Sequence, residues 1–311
     1  MASDLSSTAA SAAKAASDVD PFHVEPPTPW QLMRRRAGGH KGFWIGGTFV
    51  LICALLAIFA PVIAPFDPFG QDLTRRFVPP IWNAEGTWTH PLGTDKFGRD
   101  YLTRLIYGGR VSLMIGFFAA FIAAVIGSIL GMIGGYFGGR VDAVVMYLVN
   151  AKLSLPGLIV SLSLVSVFGG SILVLVLVLA FLFWDNYAVA LRSVTMQIRS
   201  QDFVAAAEAV GASRRRIIIS EILPNLMNQV IVIFTLEVAL AILIEATLSF
   251  LGLGIQPPTP SWGLLVSEGR EQMFFNPYLV TIPGVTIFLV AIAINMMGDG
   301  IRDITAPEGR N

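Results

Sequence analysis

Two acidic residues stand inside an apolar run. Glu237 and Glu245 interrupt residues 226–250, which otherwise hold 14 Leu, Ile, Val and Phe. A separation of eight residues puts both carboxyls on roughly one face of a helix, about 12 Å apart. On an insertion scale the apolar side chains contribute on the order of −6 kcal/mol, and two central acids cost about the same. Such a helix inserts marginally with its acids toward lipid, so they face a bundle interior or a wet cavity. Two roles stay open for them: the lining or gate of a pathway, or groups hydrogen-bonded inside the bundle. Asp185, near the inner end of another apolar run, reads as interfacial.

Other chemistry is sparse. The histidines are His23, His40 and His90, none in a predicted span, which argues against a Ser-His intramembrane protease or a His-rich metal site. No GxxxxGK[ST] surrounds Lys14, Lys41, Lys96 or Lys152, so the chain shows no P-loop of its own. Met296 breaks the GxGD pattern of intramembrane aspartyl proteases at Gly298-Asp299. Cys53 is the single cysteine and lies in an apolar block, which excludes an intrachain disulfide and a Cys-based metal site. The 21 Lys+Arg balance 21 Asp+Glu, leaving nucleic-acid binding without electrostatic support. The expectation is a chain with no catalytic residue, no metal and no cofactor of its own.

The elements that carry these residues are apolar. Of the 311 residues, 54% are hydrophobic and 14% charged. A soluble domain carries about 25% charged residues. The apolar residues fall in blocks of about 20, enough to cross a bilayer. Six spans are predicted, at 43–64, 111–134, 141–168 (kinked at Pro156), 171–190, 226–251 and 280–297. Residues 1–42 read as a mobile tail, with a possible short interfacial helix from Pro29 through Arg36, and no signal peptide fits. Residues 65–108 are a mixed polar segment, 109–303 form the main transmembrane domain, and 304–311 are a second tail. In the second span Gly127, Gly131, Gly135 and Gly139 recur every four residues after Ala119 and Ala123, a ridge that lets another helix backbone approach.

Six spans leave both termini on one side. With that side inside, the inner segments hold Lys14, Arg34, Arg35, Arg36, Lys41, Arg140, Lys152, Arg192, Arg199, Arg214, Arg215, Arg216, Arg302 and Arg310. That is 14 of the 21 Lys+Arg, so the termini are expected in the cytoplasm.

Between spans four and five, on the same side, lies a polar hinge, FVAAAEAVGASRRRIIISEILPN, from Phe203 to Asn225. Its Ala-rich first half reads as helix, and Gly211 is placed to cap it. Ser213 is placed to N-cap a second helix through Glu221, and Pro224 suits the first turn of a third. Arg214, Arg215 and Arg216 then sit where the helix dipole disfavours cations by roughly 0.3–1 kcal/mol each. Anionic lipid headgroups or an acidic partner surface are the two candidates for what they meet.

The hinge resembles the cytoplasmic coupling loop of bacterial ABC importer permeases, whose pattern is Glu-Ala-Ala, three residues, Gly, then Leu-Pro. Ala206, Ala207, Gly211, Leu223 and Pro224 fit it, with Ala212 and Ser213 completing the turn. Ala205 stands at the family's Glu position, and Glu208, one turn later, is a candidate substitute. Three further stretches resemble the C-type subunit of the dipeptide/oligopeptide/nickel branch. The first is His90-Pro-Leu-Gly-Thr-Asp95 with Gly93, Gly98, Arg99, Asp100 and Arg110. The second runs from Glu245 to Gly254 and on through Pro257, Pro258 and Pro260-Ser-Trp-Gly263. The third comprises Asn295, Gly298, Asp299, Arg302, Asp303 and Pro307. The pattern around Trp184, Tyr187 and Arg192 also matches, with Val189 where a second Arg is common and Ala306 where the family usually has Asp.

The resemblance covers about residues 40–307. It implies an all-α, six-helix fold of the type I importer kind in the bacterial inner membrane. It also implies partners: a homologous second permease, two ABC ATPase subunits that bind ATP and Mg, and an extracytoplasmic solute-binding protein. Peptides are the leading cargo, with nickel chelates, glutathione and other small solutes as alternatives. A secondary transporter using Glu237 and Glu245 is the reading from a different class. His90, Asp95, Arg99 and Asp100 are expected to fix their loop on the helix ends, with substrate contact as the alternative.

Overall fold

The computed structural model describes Arg34 and residues 36–305, so most of the expected interfacial helix and Pro307 lie outside the described residues. The helical bundle begins at His40. Its helices are α1 (Lys41–Ile58), α2 (Ala60–Ile63), α3 (Tyr101–Phe137), α4 (Gly139–Leu153), α5 (Gly157–Phe168), α6 (Ile172–Arg199), α7 (Asp202–Ala209), α8 (Arg214–Phe250), α9 (Trp262–Gly269) and α10 (Tyr278–Thr305). Among the described residues no strand forms, only an isolated bridge between Thr94 and Asp100.

Five helices are long and apolar enough to cross a membrane: α1, α3, α6, α8 and α10. The expected third span is broken rather than kinked. α4 and α5 meet at an 81° bend across 154–156, and they make a sixth span only if taken as one. Pro156 is the reason: it lacks an amide proton and its extended ψ of 107° caps α5 instead of continuing α4.

Other boundaries also moved. The first span stops at Ile58 and restarts as α2, with Pro61 in the new first turn. α3 starts ten residues before the expected Val111, because Asp100 caps it by accepting the Thr103 amide at 2.8 Å. Gly108 and Gly109, which suggest a loop by type, lie under Trp262 of α9; a β-carbon on Gly109 would sit 2.8 Å from that ring. α6 continues to Arg199 rather than ending near 190. α9 falls in a stretch expected to be loop, and Ser261 caps it through the Leu264 amide at 3.1 Å.

The hinge shows the largest difference. Ser213 does cap a helix, accepting the Arg216 amide at 3.3 Å. That helix does not stop at Glu221; it runs on as the 37-residue α8. A π turn over Ile217–Ile222, closed by the Leu223 amide on the Ile218 carbonyl, lies just before Pro224. The helix absorbs the missing proline amide in that widened turn, so no third helix is needed.

Packing is organised by α3 against α6. β-carbons on Gly127, Gly131 and Gly135 would lie 2.1, 2.7 and 2.7 Å from the carbonyl oxygens of Trp184, Ala188 and Arg192. Both series step by four, so the ridge of one helix lies along the backbone of the other. Gly139, the expected fourth member, lies beyond the end of α3 with nothing within 4 Å of its would-be β-carbon. On another side of α3, Gly116 admits the Ile242 side chain of α8. In α10, Pro283 frees the Leu279 carbonyl, and the Tyr101 hydroxyl donates to that oxygen at 2.5 Å.

The ends of the bundle are ordered by polar contacts. His40 Nε2 pairs with Asp303 at 3.1 Å, and Asn228 donates to the Thr305 carbonyl at 3.4 Å. The start of α1 and the end of α10 therefore lie together on the hinge side of the bundle, beside Asn228 in the first half of α8. The 65–100 segment lies at the other end of α3, which at 1.5 Å per residue is about 55 Å long.

Candidate functional site

The hinge residues come together as one small surface. α7 carries Ala205, Ala206 and Glu208 exposed and Ala207 half-buried, while Val204 is buried and anchors the helix. Gly211 closes α7 with φ +80°. The Ala212 amide reaches back to the Ala207 carbonyl at 3.0 Å, the six-to-one bond of a Schellman cap. Only glycine takes this conformation without strain. Ser213 and Pro224 are exposed, and Ala212 and Leu223 half-buried. Val210, 84% exposed, gives the surface an apolar tip. Glu208 accepts a hydrogen bond from the Tyr136 hydroxyl at 3.4 Å, which ties the loop to the end of α3.

The two intramembrane acids are not a pair. Glu245 is 0% exposed and is held by three hydroxyls. Ser249 and Ser261 donate to Oε1 at 2.8 and 2.9 Å, and Ser112 donates to Oε2 at 3.2 Å. Ser112 also accepts the Trp262 amide at 3.1 Å, so one carboxyl knots α3, α8 and α9 together. Glu237 is 3% exposed; Asn186 donates to its Oε1 at 2.7 Å, while Oε2 has no hydrogen-bond partner among the described residues.

Asp185 is not interfacial. It lies at the middle of α6, 2% exposed, and Lys152 donates to it at 2.5 Å. Lys152 also donates to the Leu182 carbonyl. This ion pair fastens the last turn of α4, just before the break, to the centre of α6. Asp185 and Asn186 are neighbours, so the Lys152–Asp185 pair and the Asn186–Glu237 bond form a polar step across α4, α6 and α8. A second ion pair, Arg192 with Asp142, joins α6 to α4 nearer the hinge end. The step was hidden in the sequence because Lys152 and Asp185 are 33 residues apart and neither has a charged neighbour.

At the far end the signature residues build a lock on the start of α3. Asp95 accepts the amides of Phe97 and Arg99 at 2.8 and 3.0 Å, Arg99 Nε at 2.6 Å and Arg104 at 2.7 Å. Glu268 of α9 completes it, 2.6 Å from Arg104 and 3.3 Å from Arg99. His90 pairs with Asp100 at 2.9 Å, and Asp100 caps α3. A β-carbon on Gly98 would fall 1.8 Å from the Asp72 carbonyl, and φ there is +72°. A β-carbon on Gly93 would lie 2.4 Å from the Val78 carbonyl oxygen, and φ there is +82°. Arg110 lies outside the lock, exposed. Arg104 and Glu268 were missed by sequence reasoning; Arg104 is 0% exposed on a helix turn taken for loop. Beside the lock a cleft of about 670 Å³ opens between Trp82, Glu85, Phe275 and Tyr278.

Residues 123–310 match the family described as the binding-protein-dependent transport system inner membrane component. Residues 28–80 match the N-terminal transmembrane domain of oligopeptide transport permease C. The dipeptide transport system permease of Haemophilus influenzae is 39% identical over 288 residues, 93% of this chain and 98% of that one. Its counterpart in Escherichia coli K12 is 42% identical over 91% of this chain and 94% of that one. A glutathione transport system permease of Salmonella typhimurium is 37% identical over 90% and 91%. Among solved structures, an inward-facing methionine ABC transporter matches in fold with a TM-score of 0.54. That match has 18% identity and covers 65% of this chain and 97% of that one.

Proposed function

Since this chain belongs to the binding-protein-dependent transport inner membrane components, in their dipeptide and oligopeptide permease C branch, we propose that it imports di- or oligopeptides as half of a permease pair. Two ATPase subunits drive the pair from the cytoplasm, and an extracytoplasmic binding protein delivers cargo to the face that carries the Asp95 lock. The observation that supports this most is the similarity to dipeptide permeases along nine-tenths of the chain. The glutathione permease relative belongs to the same cargo chemistry, a short peptide.

The hinge is the contact with the ATPase. Its exposed Ala surface and Val210 tip fit a groove, and the Gly211 turn makes α7 a rigid arm on α8. A push on α7 passes along α8, whose Glu237 and Glu245 tie it to α6, α3 and α9. On this reading Glu245 is a strut of the moving unit, and Glu237 with its unpaired oxygen lies on the pathway side.

Tagging the C-terminus, extracting in mild detergent and identifying companions by mass spectrometry tests the assembly. Two ATPase chains and a homologous permease are expected, and ATP-dependent uptake of a labelled dipeptide by the reconstituted complex. Recovery of the chain alone, moving ions in liposomes without ATP, would sink the proposal and favour a secondary transporter.

A further inference from the structure

Near the hinge end, α3 and the first turns of α8 leave a groove of about 340 Å³. Ile129, Met132, Ile133 and Phe137 form the α3 wall, and Ile218 and Ile219 of the π turn form the other. Arg214 and Arg215 stand at its edge, both exposed. From Ile129 to Phe137 the wall rises about 12 Å along the helix axis.

Three features define what would fill it. The walls are aliphatic and aromatic, so the buried part of the occupant is a hydrocarbon chain. The rim holds two cations for which no ion pair forms among the described residues, and Glu208 of the adjoining α7 is bonded to Tyr136. The helix dipole disfavours cations in this first turn, so local stability does not account for the arginines. The occupant therefore carries an anion at the end of a hydrocarbon chain, at the hinge end of the bundle. An acidic protein surface would satisfy the arginines but not the groove.

We propose that this groove binds one anionic phospholipid, its acyl chain along α3 between Ile129 and Phe137 and its phosphate on Arg214 and Arg215. Basic residues at such a boundary recognise anionic headgroups by charge. The lipid lies between α3 and the π turn of α8, beside the segment that joins the hinge to the membrane. The site depends on the membrane setting of the chain and not on the cargo or the ATPase.

The test is native mass spectrometry of the full-length protein, with whatever subunits accompany it, titrated with dioleoyl phosphatidylglycerol or dioleoyl phosphatidylcholine. The wild type is expected to hold one phosphatidylglycerol at least tenfold more tightly than phosphatidylcholine. Arg214→Ala and Arg215→Ala should each weaken it about fivefold, the effect of one basic residue at an anionic surface. Ile129→Trp, which fills the groove without changing charge, should weaken retention as well, and glycerol phosphate without acyl chains should not compete. Equal retention of the two lipids by the wild type overturns the proposal. So does retention unchanged in Arg214→Ala/Arg215→Ala while a protein subunit is shed, which would turn the arginines toward a protein. If the double variant does not purify, the wild-type lipid comparison and Ile129→Trp decide alone.

Discussion

Breaking the Lys152–Asp185 pair is the sharpest perturbation of the bundle interior. Lys152→Met keeps the aliphatic bulk and removes the cation. Asp185, 2% exposed at mid-helix, is then left charged without its partner. Removing one partner of a buried ion pair costs about 3–5 kcal/mol. Asp185→Leu strands the ammonium instead; Lys152 keeps the Leu182 carbonyl and its side chain is 14% exposed, so the cost falls toward the lower end of that range. The double variant Lys152→Met/Asp185→Leu leaves two apolar groups of similar volume in contact. Such replacement is neutral or stabilising, so the double variant should lie within about 1 kcal/mol of wild type or above it. The two substitutions should thus be coupled by several kcal/mol, far beyond the roughly 0.5 kcal/mol scatter of independent sites. The assay is unfolding of the purified full-length protein by increasing SDS fraction in mixed micelles, followed by circular dichroism, for all four members of the cycle. Additive losses would refute the reasoning, because they would mean that the two side chains do not meet in the folded protein. A functional readout adds to it: the pair fastens α4 just before its break, so the single variants should also lower uptake more than the double.

Other predictions follow from the same geometry. Gly131→Leu should destabilise the bundle by about 3 kcal/mol or more, or prevent its assembly, because the β-carbon would lie 2.7 Å from the Ala188 carbonyl; Gly139→Ala, in open space, should cost no more than about 1–2 kcal/mol, and melting temperatures separate the two. Gly211→Pro, which cannot take φ +80°, should leave the protein in the membrane and abolish ATP-dependent uptake, whereas Gly211→Asn should retain most of it; normal uptake by the proline variant would remove the hinge from the coupling path. Glu245→Ala should cost about 3 kcal/mol or more by stranding the hydroxyls of Ser112, Ser249 and Ser261, and Glu245→Gln much less; equal thermal stability of the two would show that the knot is not structural. Arg104→Met should loosen the start of α3 by leaving Arg99 as the one cation shared by Asp95 and Glu268, read as faster amide exchange over residues 101–110.

The apolar blocks and the hinge were legible because their signals are local. A run of about 20 apolar residues has one cheap solution in a membrane, and a Gly after an Ala-rich turn has one common use. Gly127, Gly131 and Gly135 announced a close helix contact by spacing alone, though not which helix would answer. The misread boundaries have a common cause. Gly108-Gly109 look like loop by type, and the Asp100 cap together with Trp262 and Glu268, more than 150 residues later, makes that stretch helical. Pro224 looks like a helix start, and only a π turn lets it sit inside α8. Pro156 was placed correctly but its effect understated, since an 81° bend needs a partner for the freed end. Lys152 supplies it through Asp185.

By itself the sequence determined that the chain is a multi-pass helical membrane protein with a polar hinge and no P-loop, and its motifs pointed to an importer permease. These follow from composition, from runs of fixed length and from residues close together in the chain. Tertiary structure alone decided how the charges are satisfied. Glu237 and Glu245 share a helix face yet answer to different neighbours, Asn186 in one case and three serines in the other. Asp185 turned from an interfacial residue into half of a buried ion pair, and the Asp95 lock gained Arg104 and Glu268. The physical reason is that a buried charge must find its partner wherever the fold brings one, and in the Asp95 lock such partners lie up to 169 residues apart, Arg99 to Glu268. Local pattern cannot specify contacts made at that distance, because they exist only once the helices have packed.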